Sequence, residues 1–331
     1  MKKISYSVLD FVPINEGQSI KEAYHHAIEL AKHVEKLGYY RYWISEHHNM
    51  PGIASAATSI VMSYIASATS TIRIGAGGIM LPNHAPLIVA EQFGTLEAMF
   101  PKRIDLGLGR APGTDPKTAV ALRRGSIDVD DFPKELEELR TYFKPTLKAG
   151  SVRAIPGEGQ NIPIWLLGSS DFSARLAAEL GLPFSFASHF APALLLPALK
   201  LYRDKFQSSD VLNKPYTMAA VNVFAADTLE AAEKIATSAK LQFLNLIRNK
   251  PSKLPQPVET MDGRWNEHER ALVERQYTYT FVGTAETIKA DLTHFIQLTQ
   301  VDEIMIITSA YDLEARKKTY DMIAQVMEVG K

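Results

Sequence analysis

The run ISYSVL at 4–9, the stretch SIKEAYHHAIELAKHVEKLG at 19–38 and the run YRYWI at 40–44 form the unit from which the rest of the chain is read. The two outer runs are short and rich in apolar, β-branched or aromatic residues, the composition of strands. Between them Ala23, Ala27, Leu30, Ala31, Val34 and Leu37 recur every three or four positions, which gathers them on one buried face of a helix over 19–37. Gly38 then offers the left-handed conformation that stops a helix at little cost.

The same alternation continues outward. Six further apolar runs occupy 72–78, 104–108, 163–167, 184–187, 216–224 and 302–307, and a last helix over about 313–328 carries Ile323, Ala324 and Met327 on one stripe. Eight parallel strands alternating with helices predict an α/β fold, a (β/α)8 TIM barrel; an open doubly wound sheet shares the alternation, and the strand count favours the barrel. A chain of 331 residues fits one such domain, 1–331. Two connections are too long for simple turns: 109–162 after strand 4, with its own helix at about 132–143, and 248–281 between strands 7 and 8. The second, rich in Lys, Pro, Asn and Glu, is read as a lid; a surface excursion packing on a partner subunit is the alternative.

Composition narrows the function classes. With 36 basic and 37 acidic side chains, a net charge of -1 gives no footprint for nucleic acid or an anionic membrane. The absence of cysteine excludes disulfides, thiolate metal sites and a cysteine nucleophile. No run approaches the ~20 apolar residues of a membrane helix. The start, MKKISYSVLD, lacks the apolar core of a signal peptide, so the expected location is cytoplasmic.

Barrel sites lie at the C-terminal ends of the strands, and the residues there are polar. They are Asp10 after strand 1, Glu46-His47-His48-Asn49 after strand 2, Gly77-Gly78 and then Asn83-His84 at strand 3, Arg110 after strand 4, Gly168-Ser169-Ser170 after strand 5 and Ser188-His189 after strand 6. Two adjacent histidines invite a metal, with Glu46 and His84 or His189 as further ligands. Neighbours on an extended segment point to opposite sides, however, and no His-x-x-x-His pair supports them, so no metal is predicted. His47 is expected to work as a proton donor or hydrogen-bond partner, with a loop-capping role as the alternative.

Gly75-Ala76-Gly77-Gly78 puts glycine where a barrel strand normally carries large side chains, either for close approach of a flat ligand or for packing against an aromatic neighbour. Gly107 to Gly113 lacks the G-x-G-x-x-G spacing, and Pro112 and Pro116 oppose an immediate helix start, so a dinucleotide loop is rejected. Arg110 could hold a phosphate with its fork or form a surface salt bridge. Gly168-Ser169-Ser170 before a helix start offers backbone N–H groups and hydroxyls to an anion, alongside ordinary N-capping.

Taken together, these stretches resemble the bacterial luciferase-like monooxygenases over nearly the whole chain. The likeness is carried by Trp43 to His48, Arg73 to Pro86, Arg103 to Arg110, Leu167 to Ser170 and Val282 to Glu286. The resemblance implies an FMN-dependent flavoenzyme, usually a homodimer, that takes reduced FMN from a separate flavin reductase and reacts it with O2 through a C4a-hydroperoxyflavin to oxidise a small organic substrate. It implies cofactor contacts from Ala76, Gly77 and Gly78, with a non-proline cis peptide beneath the flavin ring, and a phosphate cradle of Arg110, Gly168, Ser169 and Ser170. It implies a catalytic His47 that stabilises the flavin intermediate. Asp10 and His189 are assigned to the substrate from their place at the barrel mouth. The light-emitting luciferase subunit carries a cysteine and a glutamate where this chain has Gly109 and Gly168, which argues against light emission and a long-chain aldehyde substrate. An F420-dependent hydride-transfer enzyme on the same barrel is the alternative within the fold, and a non-catalytic flavin-binding subunit the alternative outside catalysis. F420 calls for more basic residues at the mouth than Arg110 alone.

Overall fold

The computed structural model describes residues 4–111, 113–123, 131–146 and 150–330, so Pro112 lies outside the described residues. Nine strands are found among them: β1 (Ser5–Asp10), β2 (Arg41–Ile44), β3 (Arg73–Met80), β4 (Ile104–Gly109), β5 (Ile164–Gly168), β6 (Phe184–Phe186), β7 (Thr217–Ala225), β8 (Thr280–Gly283) and β9 (Glu303–Ile307). Strands β1 to β7 pair in sequence order, β7 pairs β9 and β9 returns to β1, all parallel, which closes an eight-stranded TIM barrel.

Around it run α1 (Ile20–Lys36), α2 (Thr58–Ala68), α3 (Pro86–Met99), α4 (Pro116–Arg123), α5 (Phe132–Phe143), α6 (Asp171–Glu179), α7 (Leu195–Lys205), α8 (Leu229–Ile247), α9 (Glu267–Gln276), α10 (Ala285–Thr299) and α11 (Leu313–Met327). Among the described residues, no helix is long and apolar enough to cross a membrane.

Helix α1 shows why the sequence pattern works. Ser19 and Glu22 form a reciprocal capping box, a device that contributes about 1 kcal/mol. Ala23, Ala27, Leu30, Ala31 and Val34 are buried as their spacing predicts, and Gly38 has φ +85°, where a side chain would be strained.

The eight runs counted from sequence are the eight barrel strands, and β8 is an additional strand beside them. Asn222 of β7 is in register with Ile307 of β9 and with Thr280 of β8 at once, so β8 must lie on the other edge of β7, beyond the three-residue β6. With only Phe281 and Val282 apolar at the end of a polar connection, β8 does not stand out as a strand in the sequence. The buried face of α11 also departs from the expected stripe: Arg316, Thr319 and Tyr320 are buried with Ile323, because Arg316 reaches a carboxylate in the barrel wall.

The barrel interior is filled in layers. One layer is ionic: Arg41 Nη1 lies 2.6 Å from Asp105 and Arg41 Nε 3.1 Å from Glu303, while Arg73 Nη2 lies 2.6 Å from Asp105. Ser7 and Tyr216 donate their hydroxyls to Glu303, so the buried charges meet several donors. Next to it, Leu9, Trp43, Trp165, Met218 and Met305 pack together, with Trp43 edge-on to Trp165 at 5.3 Å. Trp43 Nε1 donates to Asp105 at 3.2 Å and links the two layers. A Cβ on Gly75 would stand 2.3 Å from that Nε1, so the aromatic-neighbour reading holds at Gly75.

Candidate active site

A cavity of about 450 Å³ opens at the C-terminal ends of the strands. Its wall includes His47, Gly77, Arg110, Gly168, Ser169, Ser170 and His189, so one pocket gathers residues from five successive strand ends. Ala76 and Gly78 sit in the strand beside it: Ala76 is fully buried in the core, and a Cβ on Gly78 would meet Leu167 Cδ1 at 2.4 Å. The Gly77–Gly78 peptide is cis, and the β3–β4 register shifts there, between Gly77 and Ile79. A Cβ on Gly77 would stand 2.9 Å from Leu9 and 3.1 Å from Trp43, so glycine lets β3 pack closely on both beside the cavity.

Asp10 lies elsewhere. Its carboxylate accepts from Arg316 Nη2 at 2.8 Å, from the Val12 amide at 3.0 Å and from the Tyr42 hydroxyl, and it is not part of the cavity wall. Leu9 faces the cavity, and period-two alternation therefore turns Asp10 outward to α11. The substrate role assigned to it from sequence gives way to a structural one.

The adjacent histidines diverge. His47 lines the cavity, with Nδ1 3.4 Å from the Gly113 carbonyl, while His48 Nε2 turns to Glu46 at 2.9 Å. Glu46 also takes His84 Nε2 at 2.9 Å and the Met80 amide at 3.0 Å. Burial would raise its pKa, but the hydrogen bonds from His48, His84 and Met80 outweigh that and pull it down to about 2. This buried carboxylate thus ties the β2 loop to the end of β3. Among the described residues, no group of three or more His, Asp or Glu side chains is arranged to hold a metal.

Phe11 stands between His47 and His189, with ring centroids 5.8 Å and 6.0 Å away. Burial lowers the pKa of His47 despite the opposing pull of the Gly113 carbonyl and Glu46. Burial, helped by the proximity of His47, pushes His189 down to about 4. Both rings are therefore neutral at pH 7, and His189 Nδ1 is buried without a hydrogen-bond partner among the described residues. The unfolded chain binds more protons than the native one between pH 6.5 and about 4, so His189 lowers stability as pH falls through that window. His189→Gln is expected to flatten that part of the stability curve, measured by urea unfolding from pH 7.5 to 4; an unaltered slope would contradict the buried neutral imidazole.

Arg110 makes no hydrogen bond or ion pair among the described residues; its guanidinium lies 4.1 Å over the Phe172 ring. The salt-bridge alternative is thus not realised. Ser170 is the N-cap of α6, yet its side chain makes no capping bond, leaving the hydroxyl and the first N–H groups of α6 open beside Arg110. A Cβ on Gly168 would meet Ser173 Cβ at 2.7 Å, so this turn can only be built small. An unpaired guanidinium, free hydroxyls and a helix N-terminus are groups that could hold an anion.

Of the outer wall, the sequence marks only 248–281, as a lid, and not α8. Ala239, Gln242, Phe243 and Leu246 of α8 line the cavity at helical spacing, opposite the floor. Pro251, Ser252, Gln276 and Tyr277 complete it, all from 248–281. Backbone bonds hold that segment down: Leu254 N donates to Ile14 O and Glu16 N to Leu254 O, each at 2.9 Å. Gln276 Nε2 donates to the His189 carbonyl at 2.6 Å. The α8 stripe could have been found from its i, i+3, i+4, i+7 pattern, and Asn222 from its place on the inward face of β7.

The profile of the luciferase-like monooxygenase family matches residues 4–302. The uncharacterized protein YvbT of Bacillus subtilis (strain 168) is 53% identical over 97% of this chain and 96% of its own. A luciferase-like monooxygenase of Escherichia coli (strain K12) is 48% identical over 99% of this chain and 98% of its own. Among solved structures, apo-MsnO8 superposes with a TM-score of 0.87 at 30% identity, covering 99% of both chains. The FMN complex of the oxygenating constituent of 3,6-diketocamphane monooxygenase from the CAM plasmid of Pseudomonas putida reaches a TM-score of 0.73 at 17% identity, over 99% of this chain and 98% of that one, a likeness of fold.

Proposed function

Since the chain belongs to the luciferase-like monooxygenase family, we propose that it uses reduced FMN and O2 to oxidise a small organic substrate in the cytoplasm. The observation that carries the choice of FMN is the set of anion-binding groups. Arg110, Ser169, Ser170 and the α6 N-terminus would hold one phosphate, while Gly77 lines the cavity where a flat ring would lie. Bound reduced FMN, delivered by a separate flavin reductase, would supply the oxygen chemistry.

The protein's own part is placement and dryness. His47, neutral and aimed into the cavity, offers a ring nitrogen for a hydrogen bond to the reacting region. His189 offers its unpartnered Nδ1 to the substrate. Segment 248–281, strapped over the outer wall, acts as the lid that keeps water out. F420 is the second reading: a deazaflavin with a polyanionic tail would need more cations than Arg110, the one cation among the described residues of the cavity wall, so FMN fits better.

The test is anaerobic loading with reduced FMN followed by rapid mixing with O2. A delay between oxygen addition and the appearance of oxidised flavin, shortened at least ~10-fold in His47→Ala, is expected from the usual contribution of a positioned proton-transfer group. Reoxidation as fast as free flavin would sink the oxygenase reading and bring F420 forward. The homodimer implied by the resemblance has an exposed apolar groove between α2 and α3 available to it, lined by Ile60, Tyr64 and Met99. Sedimentation is expected to give the mass of two chains, and Tyr64→Glu to shift it toward one.

A further inference from the structure

The cavity has two chemically different ends, and among the described residues the end away from the anion-binding groups carries no formal charge. Among the described residues of the wall, Arg110 alone is charged at pH 7, because His47 and His189 are held neutral. The outer wall is Phe11, Ile53, Phe243, Leu246, Phe190 and Tyr277, an apolar surface broken by a few amides.

The NH2 groups of those amides are already engaged. Asn222 Nδ2 donates to Thr280 Oγ1 at 3.1 Å, Gln276 Nε2 to the His189 carbonyl at 2.6 Å and Gln242 Nε2 to the Ser252 carbonyl at 3.4 Å. His189 Nδ1 is different: it is buried, belongs to a cavity-lining side chain and has no partner among the described residues. A buried polar atom left this way costs free energy that a ligand can recover.

We infer that the substrate is an uncharged, mainly apolar molecule with a single hydrogen-bonding group, which His189 Nδ1 orients against the apolar wall of Phe11 and Phe243. The inference rests on the flavin reading, which commits Arg110 to the phosphate. A carboxylate or ammonium entering the outer half would lose its hydration with no opposite charge to meet it. An ester, ketone, amide or thioether pays far less, and its alkyl part gains from leaving water.

The experiment uses the full chain saturated with FMN, so that Arg110 is occupied, and compares methyl octanoate with octanoate by calorimetry at pH 7.5. The two probes share the acyl chain and differ in charge. Methyl octanoate is expected to bind at least ~10-fold more tightly. His189→Phe is expected to weaken its binding several-fold and His189→Gln, which keeps a hydrogen-bonding group, to retain most of it. Gln242→Arg, which adds a cation to the outer wall, is expected to narrow or invert the preference. FMN binding with octanoate equal to or tighter than the ester would overturn this inference and leave the flavin reading standing. Failure to bind FMN in the preceding titration would remove the reading and the inference together. Equal ester affinity in His189→Phe would overturn the part assigned to His189.

Discussion

Replacing Arg110 with alanine is expected to weaken FMN binding by about 10- to 100-fold, the loss that follows from removing hydrogen bonds to a charged group, about 1.5–3 kcal/mol. Among the described residues the guanidinium has no partner other than the face of Phe172, so its removal leaves no buried carboxylate behind. Its whole cost should therefore appear in binding and little of it in folding. Titration of flavin fluorescence with FMN and with riboflavin separates the two halves of the site. FMN should lose affinity in Arg110→Ala, whereas riboflavin, which has no phosphate, should bind both proteins alike. An equal loss for the two flavins would mean that Arg110 shapes the pocket instead of holding the phosphate. Arg110→Lys should recover part of the affinity, because an ammonium supplies the charge without the fork.

The second large effect is expected inside the barrel. Asp105 accepts from Arg41 and Arg73 and from Trp43 Nε1, and it is fully buried. Asp105→Leu removes the shared acceptor and leaves two guanidinium groups without one of their counter-charges. Breaking a buried pair in this way costs about 3–5 kcal/mol, a large fraction of a domain's net stability. Burial alone would favour the neutral form of Arg41, yet Glu303 and Asp105 together hold its proton more firmly than usual; Arg41 keeps Glu303 in the variant, whereas Arg73 loses the carboxylate it pairs with among the described residues. Urea unfolding should show the midpoint falling in Asp105→Leu and falling less in Asp105→Asn, which keeps one acceptor oxygen. An unchanged midpoint would show that the ionic layer contributes nothing net. Because Trp43 hangs from the same carboxylate and underlies Gly77, weaker FMN binding should accompany the lost stability.

Several site residues were legible because they sit at strand ends, where the barrel's topology converts a position in the chain into a position at the mouth. His47, Arg110, Gly168, Ser169, Ser170 and His189 all line the cavity for that reason. Asp10 satisfies the same positional rule and points the other way, since it is Leu9 that faces in. Strand-end position alone does not distinguish inward from outward residues when a run such as VLD holds both. The outer wall was hidden for a different reason. Phe243 and Leu246 look like ordinary core positions of a helix until α8 is known to cross the mouth, and within 248–281, read as a lid, no local pattern says that Gln276 and Tyr277 are the residues that face the cavity.

By itself the sequence determined the alternation of strands and helices, the stop at Gly38, the glycine-rich third strand and the polar strand ends, because these depend on residues within a few positions of one another. Only the tertiary structure decided that Asp10 pairs with Arg316, 306 positions away, that β8 takes the free edge of β7, and that His189 keeps an unpartnered nitrogen in an apolar half-cavity. Burial and pairing at those points are set by which elements close on one another, and that information exists only once the barrel is shut.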